Sequence, residues 1–326
     1  MTTVRQLLCA AIVAGAAAGL AGAALAQGTY PDKPVRLIVG FTPGSATDIT
    51  ARVVAQRLSE MWSVPVTVEN VPGAGGTVGV DRAAKAAPDG YTLAYAANGA
   101  MTIAPALQGK LSYDPVNDLV PISLLLTMPS ILAVNNDVPV KTFQDLIALA
   151  KAQPGKLSYA TPGVGTPQHI AGELLKIQAG VDIIHVPYRG AVFTDVIGGR
   201  VTMALQNAGS ILTVVREGKL HALAVTSLQR SPNFSALPTI AESGFPGFEA
   251  TSWFSLLAPA GTPAAIVKKV HDDAAKILAE PEIRARFAQL GLDTAGSAPD
   301  ALARQIKSDI AKWTGVIKEA GIKAGE

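Results

Sequence analysis

Two stretches of the chain share the pattern T-P-G-x-x-T: Thr42 to Thr47 reads TPGSAT and Thr161 to Thr166 reads TPGVGT. Each follows a short apolar run and precedes a helical pattern, so each is a strand-to-helix loop. Such a loop sets the free N–H groups of a helix N-terminus at a strand's carboxyl end. Those groups and the macrodipole favour an anion, and open α/β sheets bind ligands in that crevice. Gly44 lets the backbone approach closely, and Ser45 and Thr47 add hydroxyl donors. No Lys or Arg lies between Gly40 and Ile49 or between Ser158 and Leu175. An anion here is held by N–H dipoles, hydroxyls and water rather than by a charge clamp. That suits a reversible grip on a carboxylate better than a tight grip on polyphosphate. The structural alternative for either loop alone is an ordinary turn with a Thr cap; the echo favours the functional reading.

Other residues with chemical capacity are scattered. Asp48 sits in a first helical turn, where it compensates the helix dipole or, facing the cleft, accepts from a ligand donor. His169 stands in the first turn after the second loop, as a hydrogen-bonding residue or as a lone base. His185, His221 and His271 show no zinc spacing, and the one cysteine is Cys9. G-x-S-x-G is absent. Gly73, Gly75, Gly76 and Gly79 miss the dinucleotide spacing because Val78 stands where a third Gly belongs. That segment reads as a close-approach turn lining the cleft. Tyr188 and Arg189 lie at another strand end, and the amide of Asn207 lies at a further one. Neither cofactor nor metal is expected.

The elements that must position these residues begin after a leader. Arg5 precedes the Ala/Gly-rich run Leu7 to Leu25, and Ala24-Leu25-Ala26 supplies a cleavage site. Residues 1–26 thus read as a secretory signal, cut after Ala26, with export to the periplasm. The remaining 300 residues fit two domains and balance 26 basic against 25 acidic residues. Neither nucleic acid nor anionic lipid is an expected partner. The mature chain is expected to be soluble and monomeric.

Strand and helix patterns alternate along it. Val35 to Phe41, Val64 to Val71 and the run YTLAYAA read as strands. Ile49, Val53, Val54 and Leu58 mark a helix, and Gly79 to Ala87 another. The alternation predicts parallel sheets with helices on both faces. Val120 to Asn136 is long and apolar and reads as a strand leaving one lobe for the next; Leu220 to Ser227 reads as the return. Thr142 and Asp145 form a capping box. Near the C-terminus, Thr262 with Pro263, and Ser297 with Asp300, read as helix starts. Leu302, Ile306, Ile310, Trp313 and Ile317 form the stripe of the last helix, expected to pack on the first lobe. The expected fold class is α/β: two βαβ lobes joined by crossing hinge strands. Lobe 1 takes residues 27–126 and 227–326, and lobe 2 takes 127–226.

The segments YPDKPVRLIVGFTPGSATDITARVVAQRL, VENVPGAGGTVGVDRAAKAAPDGYTL, HVPYRGA and ESGFPGFEATSWFSLLAPAGTP follow in order along the chain. Together they resemble the Bug-type extracytoplasmic solute receptors, the binding proteins of tripartite tricarboxylate transporters. The resemblance covers essentially the whole mature chain. It implies a two-lobed Venus-flytrap fold whose cleft holds a small carboxylate through the two loops, largely by backbone N–H groups and ordered water. It implies hinge closure, delivery to the transporter's membrane subunits, and no catalysis. The implied ligand contacts are Phe41, Thr42, Ser45, Ala46, Thr47, Asp48, Thr77, Val78, Asn98, Thr161, Gly165, Thr166, His169, Tyr188, Arg189 and Asn207. Among these, N–H groups at Ser45 to Thr47 and Gly165 to Thr166 grip the acid, and Asn98, Tyr188 and Asn207 read its far end. Two departures stand out. Ser45 occupies a place where the family usually has Gly, and the stretch after Tyr188-Arg189-Gly190 is short. Alternatives from other classes are a ligand-sensing partner of a two-component system and a periplasmic hydrolase using His169.

Overall fold

The computed structural model describes residues 30–188, 190 and 192–323. The expected signal segment 1–26, with Cys9, lies outside these residues, as does Arg189. The first sheet uses β1 (Val35–Val39), β2 (Val66–Asn70), β3 (Thr92–Ala97) and β4 (Leu119–Met128). The second uses β5 (Ser130–Asn135), β6 (Ser158–Thr161), β7 (Ile184–Pro187), β8 (Met203–Asn207) and β9 (Leu220–Val225). The chain then returns to the first sheet with β10 (Ser252–Pro259) and β11 (Asp293–Thr294). The strand orders are β11-β4-β10-β3-β1-β2 and β7-β6-β8-β5-β9.

The expected two-lobed α/β architecture is present, but the sheets are mixed rather than parallel. β1, β2 and β3 pair in parallel, as do β6, β7 and β8. The strands entering and leaving the crossing pair antiparallel: β10 with β3 and β4, and β5 with β8 and β9. A chain that passes from one sheet to the other and back has to reverse direction in each. β10, Ser-Trp-Phe-Ser-Leu-Leu-Ala-Pro, is buried along its whole length, as a strand covered on both faces must be. No alternation or helical spacing in the sequence marks it as a strand.

The crossing is narrow. β4 becomes β5 across Pro129. Ser130 N donates to Thr226 Oγ1, and Thr226 N donates to the Ser130 carbonyl, both at 2.9 Å. Each sheet carries an apolar cluster on either face. The helices that cover them are α1 (Ala46–Trp62), α2 (Thr77–Ala84), α3 (Ala104–Gln108), α4 (Phe143–Ala152) and α5 (Pro167–Ala179). They continue with α6 (Val192–Ile197), α7 (Ala208–Arg216), α8 (Ala264–Ala279), α9 (Pro281–Gln289) and α10 (Pro299–Glu319).

The capping box of α4 forms as read: Asp145 N donates to Thr142 Oγ1 at 3.1 Å and Thr142 N to Asp145 Oδ2 at 2.9 Å. The two later caps do not. Thr262 Oγ1 donates to the Pro259 carbonyl at 2.7 Å, so its hydroxyl closes the preceding turn instead of capping α8. Ser297 accepts from Leu124 N at 3.1 Å, so it is tied to β4, and Ala298 is the N-cap of α10. α10 also differs from expectation in its packing. Leu302 and Ile306 join a first-lobe cluster, whereas Trp313, Val316 and Ile317 join a second-lobe one. Ile240, Phe248 and Ala250 join that second cluster too. The segment 227–326 therefore contributes to both cores.

Candidate functional site

The N-termini of α1 and α5 open on one cavity of about 490 Å³ between the two sheets. The first loop is built from its glycine and its cap. Gly44 takes φ +81°, a left-handed conformation that costs a glycine little. Ser45 is the N-cap, and its Oγ accepts from Asp48 N at 3.2 Å. Asp48 is 2 % exposed. Its Oδ2 accepts from Gly44 N at 2.9 Å and from Arg52 Nε at 3.0 Å, and its Oδ1 from Asn70 Nδ2 at 2.8 Å. Burial disfavours the charged carboxylate. The hydrogen bonds from Arg52, Gly44 and Asn70 and the Arg52 charge outweigh burial and hold the carboxyl below its ordinary value. Asn70 also donates to the Phe41 carbonyl at 3.0 Å, joining both ends of the loop to β2.

The second loop repeats this construction with different chemistry. Gly165 takes φ +74°, and Thr166 is the N-cap, accepting from His169 N at 3.3 Å. Gly165 N donates to His169 Nδ1 at 3.1 Å, which leaves the ring proton on Nε2. His169 is 5 % exposed and stacks on His185 with centroids 3.9 Å apart. Burial, then the Lys176 charge, pulls the His169 pKa down to about 4. His185 falls to about 4 through burial and then through His169. The caps thus pair Ser45 with Thr166, and Asp48 with His169. The sequence echo pairs Thr47 with Thr166 because the second loop carries two more residues before its cap.

The structure gathers Phe41, Ser45, Ala46, Thr47, Asn98, Gly165, Thr166 and Asn207 around the cavity. The remaining expected contacts that it describes lie off the cavity wall, each for a local reason. Thr42 is solvent-exposed, and its carbonyl accepts from Ser45 N at 3.2 Å. Asp48 and His169 lie beneath their loops, as described above. Thr77 donates to the Ala74 carbonyl at 3.1 Å, and Val78 points to solvent at 45 % exposure. Thr161 is buried with its Oγ1 2.6 Å from His185 Nε2. Tyr188 donates to Asp195 Oδ2 at 2.6 Å.

Three of the N–H groups expected to grip an acid already have partners within the chain. Ser45 N donates to the Thr42 carbonyl and Gly165 N to His169, while Thr166 N faces the Gly163 carbonyl at 3.4 Å. Ala46 and Thr47 are the first two residues of α1, and Gln168 follows Pro167 at the start of α5. A helix leaves those N–H groups without internal partners.

The glycine-rich turn lines the cavity through Ala74 and Gly75. The turn meets the end of β1 backbone to backbone: a Cβ on Gly40, just after β1, would lie 2.4 Å from the Gly76 oxygen, and one on Gly79 2.5 Å from Gly40 Cα. Met128, Ser252 and Phe254 from the hinge strands form part of the wall, as do Ile103, Leu107 and Gln108. These were not expected. Met128 lies inside the run read as a crossing strand, so its place was within reach of the sequence. Leu107 had no such signal. The Asn207 amide oxygen accepts from Gln168 Nε2 and, at 3.4 Å, from Ser252 Oγ, joining the second loop to the hinge. Among the described residues lining the cavity, none is Lys, Arg, His, Asp or Glu.

The lobes also meet behind the cavity. A Cβ on Gly209, in α7, would lie 2.4 Å from the Leu290 oxygen, and one on Gly291 2.8 Å from Gly209 N. Backbone there touches backbone.

Comparison with known proteins is consistent across sequence and structure. The model of the tripartite tricarboxylate transporter family receptor matches residues 50–322. Protein BugT of Bordetella pertussis is 36 % identical over 311 residues, covering 94 % of this chain and 95 % of BugT. A protein of R. palustris solved with adipate is 34 % identical with a TM-score of 0.76, covering 90 % of this chain and 99 % of that one. MatC of Rhodopseudomonas palustris, with bound malate, is 31 % identical with a TM-score of 0.72, covering 88 % and 100 %.

Proposed function

Because the chain belongs to the tripartite tricarboxylate transporter receptor family, we propose that its cleft captures a small organic carboxylate with an apolar body. The receptor then delivers the acid to the membrane subunits of a tripartite transporter, from the periplasm, after removal of residues 1–26. The observation that carries this reading is the pair of helix N-termini, α1 at Ser45 and α5 at Thr166, opening on one uncharged cavity. The N–H groups of Ala46, Thr47 and Gln168 receive the carboxylate, directly or through water. Phe41, Leu107, Met128 and Phe254 pack on its carbon chain, and Asn98 and Asn207 read polar groups further along.

Binding proceeds without turnover. His169 is buried under its loop and off the cavity wall, and among the described residues lining the cavity none is His, Asp, Glu or Lys. Hinge motion at Pro129 and Thr226 opens and closes the lobes, a repertoire common to two-lobed receptors.

A melting screen tests this reading. A ligand that binds only the native state raises apparent stability. Adipate, malate or another carboxylate is expected to raise the melting temperature, and neutral sugars are not. A shift with sugars alone refutes the proposal. Mass spectrometry of acid released from denatured protein then names the ligand.

A further inference from the structure

We infer that Asp48 and His169 are positioning residues of the cleft, each locking its loop by accepting the N–H of the glycine four residues earlier, and that the imidazole-locked loop is the acid-sensitive one. The inference rests on the reading of the cleft as a carboxylate site.

The geometry is the same in both lobes. Gly44 N to Asp48 Oδ2 is 2.9 Å, and Gly165 N to His169 Nδ1 is 3.1 Å. Both glycines have positive φ, and both precede the N-cap. The side chain at the third helical position therefore fixes the last residue before the cap. This holds the direction in which the first turn's free N–H groups point. Neither Asp48 nor His169 lines the cavity, so neither acts by touching ligand.

The two locks differ in what surrounds them. The carboxylate of Asp48 is satisfied by Arg52 and Asn70, which keep it an acceptor down to low pH. His169 faces His185 from β7, 3.9 Å away and stacked, and Glu173 Oε1 on its own helix, 3.9 Å from Nε2. Lys176 lies beyond, 2.9 Å from Glu173, whose Oε1 also accepts from the Tyr159 hydroxyl of β6 at 2.7 Å. A proton on Nδ1 turns that nitrogen from acceptor to donor, facing the Gly165 N–H. The stacked His185 opposes the new charge. With His169 drawn down to about 4, the lock is closed at neutral pH and opens as pH falls through that value.

Two measurements test it. The first needs no ligand: amide hydrogen exchange of the 162–168 segment, corrected for intrinsic rates, at pH 7 and pH 4. Exchange is expected to quicken at pH 4, and at pH 7 in His169→Leu. The second is calorimetric titration of adipate into wild type, His169→Leu and His169→Asn. Losing one hydrogen bond is expected to weaken adipate about three- to tenfold in His169→Leu. Asn keeps an acceptor but does not titrate, so it is expected to restore most of the affinity and to remove the protein's share of the acid loss. The acid's own titration is common to all three proteins. Wild-type exchange rates in His169→Leu, or an unchanged acid loss in His169→Asn, overturns the inference. If leucine unfolds the lobe, the pH arm on the unaltered protein decides. If wild type does not bind adipate at pH 7, the titration uses the carboxylate that the melting screen identifies; failure of every carboxylate counts against the carboxylate reading, and the exchange arm still judges the lock.

Discussion

Ser45 and Thr166 are equivalent: each caps the helix that opens on the cavity, each follows a glycine with positive φ, and each accepts the N–H of the residue three places on. The Ser45 hydroxyl thus serves the helix first and lines the cavity second. Ser45→Ala is expected to cost about 1 kcal/mol of stability, and Ser45→Gly only a few tenths. Urea denaturation of the three proteins checks the order, and equal costs for the two changes would contradict the cap assignment.

Asp48 gives a pH prediction with a definite sign. Its carboxyl is held below the ordinary value in the folded chain, so its stabilising effect is present above the ordinary Asp pKa of about 3.9. That effect is lost as pH falls further, through the lowered folded value. Asp48→Ala removes the acceptor that Arg52 Nε, Asn70 Nδ2 and Gly44 N share and is expected to cost about 2–3 kcal/mol at pH 7. The gap from wild type is expected to narrow at pH 3, measured by denaturant midpoints. A gap independent of pH refutes the ionised role.

Gly209 offers a test of lobe closure. An added methyl would meet the Leu290 carbonyl at 2.4 Å, and that neighbour is backbone rather than the end of a flexible side chain. Gly209→Ala is expected to weaken ligand binding roughly tenfold or more by opposing the closed form. The lobes should also stand further apart by X-ray scattering in the presence of ligand. Unchanged affinity and scattering would show that this contact is not part of closure.

Leu107 tests the uncharged wall. Leu107→Lys places a cation in a cavity whose described lining has none. Adipate is expected to gain about three- to tenfold over hexanoate, because its second carboxylate finds a partner near the screened surface limit. Competition titration with the two acids measures the ratio, and an unchanged ratio places Leu107 away from the ligand's far end.

The sequence by itself determined the class of fold, the two lobes, the crossing near Val120 to Asn136 and the two strand-to-helix loops. These follow from local physics: hydrophobic period, glycine at positive φ, and caps that act within four residues. Ser45, Thr47, Gly165 and Thr166 were legible for that reason. Tertiary structure alone decided the rest. Whether Asp48 faces ligand or loop depends on Arg52 and on Asn70, which is 22 residues away. The burial of His169 depends on His185 across a neighbouring strand. The antiparallel central strand β10 and the sharing of α10 between two cores depend on the chain's double passage between sheets. Leu107 and Phe254 meet the loops only because those passages fold back on them, and no spacing along the chain records such a meeting.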